Sequence, residues 1–402
     1  MTVIQALTKL KKILNCLNME FITLKTEKML AGGDCLAKLD GKSVFVRGAL
    51  PEETLKVRIT ADKGDFLTAE IAEIIEPSKE RITPPCPFYG VCGGCNLQIA
   101  SIDYQRKLKT EILRDSLLRA GLNQNDLPEI KISGGAEFGY RNRFQFHNGG
   151  LKKKSANEIV YIDDCLVAVP EIREYLKNNK LSLQERSHLF AANGIVMQTK
   201  DSDGKKSGRF AGIRVNEDTL CTVEVAGKKL QFDVHGFFQS NLEMLEKTVG
   251  KITENLQGFR VADIYAGVGT FSVFLADLFK EVYLVEHNRE AIVLAERNLA
   301  NSKAAKHESY GISGAKWPEM QAASLDFDAV VIDPPRSGME KAVRNWITAK
   351  KVPVVRALSC DPVTFARDAA DLCRNGYKFE SLEILDFYPQ TSHIETIATF
   401  LI

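Results

Sequence analysis

The chain has 402 residues, 45% of them hydrophobic and 26% charged, an ordinary globular composition with room for two or three domains. A formal net charge of +1 excludes a global basic excess, so a nucleic-acid partner has to be met by local patches. No stretch approaches the ~20 apolar residues of a membrane span and the first residues lack a signal-peptide pattern, so the chain reads as soluble, cytoplasmic and free of membrane.

Residues 1–19 read as an N-terminal extension. From 20 to 78, short runs such as KSVFVRG and TLKVRIT alternate apolar and polar positions between Gly32-Gly33, Gly41, Pro51 and Gly64, the pattern of a small antiparallel barrel. A central region, 79–235, opens with the Pro- and Cys-rich RITPPCPFYGVCGGC. A helix follows over 101–120, with Ser101 as N-cap, Leu108, Ile112 and Leu117 on one face, Gly121 as its stop and a basic flank at Arg106, Lys107 and Lys109. From about 130 the region is β-rich, with Lys/Arg hairpins in GYRNRFQFH, LKKK and DGKKSGR. After Gly236 short apolar runs alternate with helical stretches to residue 402, which predicts a mostly parallel sheet covered on both faces. Ligands collect at the carboxyl ends of such strands, where Gly267, Glu286, Asp333 and Cys360 all fall.

Nine cysteines in a chain of this kind argue for metal or catalytic use of thiols before disulfides. Cys86-x5-Cys92-x2-Cys95, with Cys165 in YIDDCLV as a fourth candidate, suits zinc or an iron-sulfur cluster, and the long first gap favours 4Fe-4S. Asp263-Ile-Tyr-Ala-Gly267-Val-Gly269, with Glu286 after the next strand, fits a nicotinamide dehydrogenase as well as an S-adenosylmethionine enzyme, and an ordinary strand-to-helix turn too. In Asp333-Pro-Pro-Arg336-Ser-Gly338 the prolines preset φ and fix where carboxylate and guanidinium point, although a stiff turn with a solvated Arg has the same sequence. Cys360, after an apolar strand, is either a buried core thiol or a nucleophile whose protons a carboxylate such as Glu395 could handle. His393 reads as a packing or hydrogen-bonding residue rather than a base.

Together FFQSN (237–241), DIYAGVGTF, DPPRSG, SCDPVTFARD and DFYPQTSHIE resemble, in that order, the signature blocks of the RNA (uracil-5)-methyltransferase family. CPFYGVCGGC looks like the cluster loop of its iron-sulfur members, and residues 20–78 like their TRAM-type OB barrel. The resemblance implies a multidomain α/β protein: a barrel, a central α+β region with the cluster, and a Rossmann-like methyltransferase domain over 236–402 on which the 101–120 helix packs. It implies that Gln239, Tyr265, Thr270, Glu286 and Asp333 contact S-adenosylmethionine, that Cys360 is the nucleophile and Glu395 the general base. By the same resemblance Cys86, Cys92, Cys95 and Cys165 hold a 4Fe-4S cluster and Arg336 lies near RNA. Tyr140, Arg141 and Arg143 are the further candidates for the RNA surface. The expected substrate is 23S rRNA, with a tRNA T-loop uridine as the alternative and a monomer as the working unit; an inactive iron-sulfur RNA-binding protein is the rival from another class. Two positions depart from the family pattern: Asp361 stands where Asn is usual, and an ionised neighbour would raise the Cys360 pKa unless it is paired elsewhere; Ala266 replaces a Cys.

Overall fold

The computed structural model describes residues 21–153, 157–178, 186–192, 195–200, 219–300 and 302–402. The expected N-terminal extension and the DGKKSGR segment lie outside these residues, as does the last lysine of LKKK. The chain divides into two compact units, one comprising the residues up to Gly90 with Cys95–Leu108 and Gln390–Ser392, the other Val91–Gly94, Lys109–Pro389 and His393–Ile402. Among the described residues no helix is long and apolar enough to cross a membrane.

In the first unit β1 (Ile22–Met29), β2 (Cys35–Leu39), β3 (Lys42–Arg47), β4 (Thr54–Asp62) and β5 (Phe66–Glu76) close a barrel in the order β1-β2-β3-β5-β4. The alternation in sequence is the reason: Leu24, Ala37, Val44, Val46, Leu55, Val57 and Ala69 point inward and are buried. Glu53 is also buried and is satisfied by the Leu50 N–H at 2.8 Å and by Arg81 Nη2 at 2.8 Å. Gly33 sits at φ +88, where a Cβ would lie 2.5 Å from Asn96 Nδ2 and 2.9 Å from Ser392 Cβ, so only glycine admits that approach.

Helix α1 (Ile102–Arg119) starts as the sequence predicts, with the Tyr104 N–H 3.4 Å from Ser101 Oγ. Lys109, however, is no part of a basic flank. It is fully buried, its Nζ 2.7 Å from Asp386 Oδ1, in an ion pair with no exposure on either side.

The second unit carries the rest. β6 (Ile130–Gly134) is followed by β7 (Arg143–Phe146), β8 (Leu151–Lys152), β9 (Ile159–Val160), α2 (Pro170–Asn178), β10 (Ser187–Ala192), β11 (Ile195–Lys200), β12 (Leu220–Val225) and β13 (Lys228–Asp233). These pair locally as β11-β10-β7, β12-β13 and β8-β9, except β6. The remaining elements alternate: α3 (Leu242–Thr253), β14 (Gly258–Ile264), α4 (Ser272–Leu275), β15 (Phe279–Val285), α5 (Arg289–Leu299), β16 (Lys306–Tyr310), β17 (Ala329–Ile332), α6 (Lys341–Lys350), β18 (Val354–Ser359), α7 (Pro362–Arg374), β19 (Lys378–Asp386) and β20 (Glu395–Leu401). They form one eight-stranded sheet in the order β16-β15-β14-β17-β18-β20-β19-β6, with β20 antiparallel to both neighbours. Every residue of β17 is buried, as expected of a central strand covered on both faces. β6 lies parallel to β19 and covers an edge that would otherwise be open to pairing. The strand order reverses between β14 and β17, the topological switch point where such sheets take their ligands.

Candidate active site

At the switch point the chain leaves β14 through residues in the left-handed region: Tyr265 at φ 68, Gly267 at φ +56 and Gly269 at φ +75. A Cβ on Gly269 would stand 3.0 Å from Ala295 Cβ and 3.2 Å from its Cα, so this glycine lets the turn press against α5. A Cβ on Gly267 would meet nothing within 4 Å, so that part of the turn faces open space. Glu286, at the end of β15, accepts the Gly267 N–H at 2.9 Å and the Asn288 N–H at 2.7 Å. The Tyr265 hydroxyl lies 3.1 Å from both Glu340 Oε2 and the Glu340 N–H. Thr270 is half-buried in the same turn. Asp263, to which the sequence analysis gives no role, is fully buried; Ser272 Oγ donates to its Oδ2 while Oδ1 has no partner among the described residues. Burial pushes its carboxyl up to about 7.

The other half of the site is built by strand register. Ser359 on β18 pairs with Thr396 on β20, so the next residue, Cys360, stands opposite Glu395. Ile332 on β17 pairs with Ala357, which brings Asp333 to the same end of the sheet, its N–H 3.3 Å from Ile264 O. Arg336, on the Asp-Pro-Pro turn, is exposed, with Nη2 3.4 Å from His393 Nδ1. The charges act on one another. Burial, then Glu395 and Asp333, push the half-buried Cys360 thiol up to about 12, with Arg336 opposing. Burial and then Asp333 push Glu395 up to about 8, against Arg336 and Lys109. Burial pushes Asp333 up to about 7.

Asp361 does not add to this. Its Oδ1 accepts the Val363 N–H at 3.1 Å and the Thr364 N–H at 2.8 Å as the N-cap of α7, with Pro362 in the first turn. The carboxylate is engaged with the helix end, which removes the objection raised by its departure from the family pattern.

Gln239 reaches this half through Tyr388, whose hydroxyl donates to Gln239 Oε1 at 3.3 Å. Tyr388 stands edge-on to His393 at 5.8 Å between ring centroids and feels the charges of Glu395, Arg141 and Cys360. Two of the RNA-surface expectations fare differently. Tyr140 is buried, its hydroxyl donating to Pro389 O at 2.8 Å, because alternation along 140–146 turns Tyr140, Asn142, Phe144 and Phe146 inward. Arg143 is taken up by backbone carbonyls, Val234 O at 2.8 Å, Gly236 O at 2.5 Å and Phe238 O at 3.4 Å, a loop clamp rather than an outward cation. Arg141 stacks over Phe144 at 5.1 Å.

Of the four cysteines expected to hold a cluster, all are partly exposed. Within the second unit Cys92 Sγ accepts the Gly94 N–H at 3.4 Å, and the Val167 and Ala168 amides point at the Cys165 sulfur, which feels the Cys92 charge. In the first unit the Cys86 N–H donates to Gln98 Oε1 at 3.2 Å, and Cys95 acts electrostatically on Tyr89. Among the described residues no three His, Cys, Asp or Glu side chains are grouped so as to hold a single metal ion.

Comparison with known proteins gives this geometry its setting. A family described as tRNA (Uracil-5-)-methyltransferase matches residues 208–401, and a TRAM domain matches 22–72. An uncharacterized RNA methyltransferase of Treponema denticola is 38% identical over 94% of this chain and 98% of its own. The 23S rRNA (uracil(1939)-C(5))-methyltransferase RlmD of Salmonella typhi is 30% identical over 95% of this chain and 96% of its own. In fold, the chain is similar to the Pyrococcus abyssi tRNA (uracil-54, C5)-methyltransferase solved with S-adenosyl-L-homocysteine, at a TM-score of 0.72 and 22% identity, over 94% of this chain and 100% of that one. With relatives matched almost end to end and the family pattern lying over the sheet that carries Cys360 and Glu395, the chain belongs to the RNA (uracil-5-)-methyltransferase family.

Proposed function

We propose that this chain methylates carbon-5 of a uridine in 23S rRNA, using S-adenosylmethionine, through a transient bond between Cys360 and carbon-6 of the base. The observation that carries the mechanism is the meeting of Cys360, Glu395, Asp333 and Arg336 at one end of the sheet. A binding protein that had lost its chemistry would have no use for a thiol and a buried carboxylate held in register. The reading of the switch point as the methyl-donor site is supported by the left-handed Gly267 turn, which faces open space, by Glu286, which accepts its N–H, and by Asp333 at the end of the neighbouring strand; Tyr265, Thr270 and Gln239 are the further proposed contacts. When bound, S-adenosylmethionine supplies an electrophilic methyl on a sulfonium.

Carbon-5 of uracil is too weak a nucleophile to be methylated unaided. Cys360 gives up its thiol proton to solvent and adds to carbon-6 as the thiolate, which turns the ring into an enolate whose carbon-5 can take the methyl group, the electrons of the broken C–S bond staying with the donor sulfur. The adduct is then sp3 at carbon-5 and still carries a proton there. Glu395 takes that proton, and the electron pair left behind expels the Cys360 thiolate and restores the ring. Only the ionised carboxylate can take that proton, and burial raises its pKa to about 8, so turnover is expected to rise as pH approaches 8. Arg336 is exposed beside both groups and is the candidate contact for RNA phosphate or base, with Arg141.

Cys86, Cys92, Cys95 and Cys165 are the proposed ligands of a 4Fe-4S cluster. The fit rests on the donor set and on backbone N–H groups aimed at the Cys92 and Cys165 sulfurs, the bonds that stabilise cluster thiolates. Such a cluster supplies a rigid multi-thiolate crosslink; the methyl transfer needs no electron from it.

The test is Glu395→Gln with a 23S rRNA fragment and S-adenosylmethionine. The expected result is a covalent protein-RNA band on a denaturing gel and methylated base that is not released. Turnover at the wild-type rate with no such band would remove Glu395 from its role.

A further inference from the structure

Gln105 and Lys109 stand four residues apart on α1, hence on one face, and both are fully buried. Their polar groups are directed at one stretch of chain. Gln105 Nε2 donates to Gln390 Oε1 at 3.0 Å and to Ala100 O at 2.8 Å, and its Oε1 accepts the Gln390 N–H at 2.9 Å. One turn on, Lys109 Nζ donates to Asp386 Oδ1 at 2.7 Å and to Tyr388 O at 3.2 Å. In the second unit Lys109 therefore holds Asp386 and the Tyr388 carbonyl, and in the first unit Gln105 holds Gln390.

The grip holds something unfavourable. Gln390 is buried at φ 69, a left-handed conformation that costs a residue with a Cβ and persists only where its surroundings over-determine it. Its carbonyl accepts from Asn96 N at 3.1 Å and Leu97 N at 3.0 Å, and Asn96 Oδ1 accepts the Ser392 N–H at 2.8 Å. Apolar residues of similar shape generally stabilise a core as well as a fully buried ion pair does, so Lys109–Asp386 calls for a role beyond stability. What the segment carries supplies one. Tyr388 bonds Gln239 and edges onto His393, and Glu395 pairs with Leu385 where β20 begins.

We propose that Lys109 on α1 is a splint for the catalytic base: through Asp386 and the Tyr388 carbonyl it fixes residues 386–388 so that Tyr388 and Glu395 are held in their working positions, which makes Lys109 a positioning residue for Glu395. The inference rests on the reading of Glu395 as the base. The groups that face Glu395 are Asp333 and Arg336 from the turn after β17, Cys360 from the end of β18, Lys109 from α1, and Tyr388 from its own segment. Lys109 is cationic and opposes Asp333, so loss of its charge moves the Glu395 pKa upward.

The test compares Lys109→Met and Lys109→Gln with the wild-type full-length protein, each first shown to be folded by its melting transition. Hydrogen-deuterium exchange over 386–396, S-adenosylhomocysteine affinity and the pH dependence of kcat are then measured. Both variants are expected to exchange faster over 386–396 and to lose about tenfold to a hundredfold in kcat, with cofactor affinity within about twofold, since a misplacement of about an ångström costs that much. Both, having lost the Lys109 charge, are also expected to move the limb of the kcat profile governed by Glu395 to higher pH. Folded variants with wild-type exchange and kcat would overturn the splint, and Lys109→Met decides the matter if Lys109→Gln does not fold. Faster exchange and lower kcat beside a fully active Glu395→Gln would keep the splint and discard Glu395 as the base.

Discussion

Replacement of Glu395 by Gln should make the protein more stable, by an amount that depends on pH. Glu395 is 7% exposed, and burial followed by the Asp333 charge raises its pKa from 4.5 to about 8. Unfolded, the side chain ionises near 4.5. As pH rises past that value the unfolded chain gives up its proton freely while the folded one does not, so stability falls by about 1.4 kcal/mol per unit until pH 8. The interval of 8 − 4.5 = 3.5 units corresponds to about 5 kcal/mol of destabilisation at and above pH 8, and almost none below pH 4.5. Gln keeps the shape and has no proton to lose. Urea unfolding of both proteins at pH 5, 6, 7 and 8 should therefore show the variant gaining on wild type at each step, by several kcal/mol in all. A difference that stays flat from pH 5 to 8 would mean that Glu395 titrates alike in both states, and the argument for a proton-holding base would fail with it.

Cys360→Ala should abolish turnover and leave S-adenosylhomocysteine affinity by titration calorimetry within about twofold, because the thiol acts only on the base and not on the cofactor. Asp361→Asn should leave both melting temperature and kcat close to wild type, since Asn caps a helix as well as Asp; Asp361→Ala should cost about 1 kcal/mol in urea unfolding. A large gain in kcat for Asp361→Asn would show that the carboxylate does burden the thiol. Gly269→Ala should cost on the order of 1–3 kcal/mol, from its left-handed φ and from the 3.0 Å contact of the new Cβ with Ala295, and thermal unfolding reads it directly.

What could be read in the sequence was local. Period-two alternation gives the barrel strands, and apolar runs with helical intervals give the parallel sheet, because in each case neighbouring residues alone decide which way a side chain points. Gly267, Glu286, Asp333 and Cys360 fall at strand ends for the same reason. Asp361-Pro362 carried an N-cap signature that was legible and explains the capping of α7, yet beside a thiol it reads more readily as a charge. The readings that changed all depend on partners far away in the chain. Arg143 looks like an outward cation until the 234–238 carbonyls surround it, and Lys109 like a basic flank until Asp386, 277 residues on, meets it. The same holds for β6, which no local pattern assigns to the edge of a sheet whose other strands begin at Gly258.

The electrostatics of the site bear on when the thiol becomes reactive. Burial and the neighbouring carboxyls push the Cys360 thiol up to about 12, which favours its protonated form near neutrality. Three acids with raised pKa values, Cys360, Glu395 and Asp333, share one pocket of charge with Arg336, so the next positive charge to arrive is strongly favoured and lowers all three together. A sulfonium carries that charge, whereas the product left after methyl transfer is a neutral thioether. In the proposed reading a bound sulfonium therefore favours the ionised forms of Cys360, Glu395 and Asp333 more than the neutral thioether that replaces it.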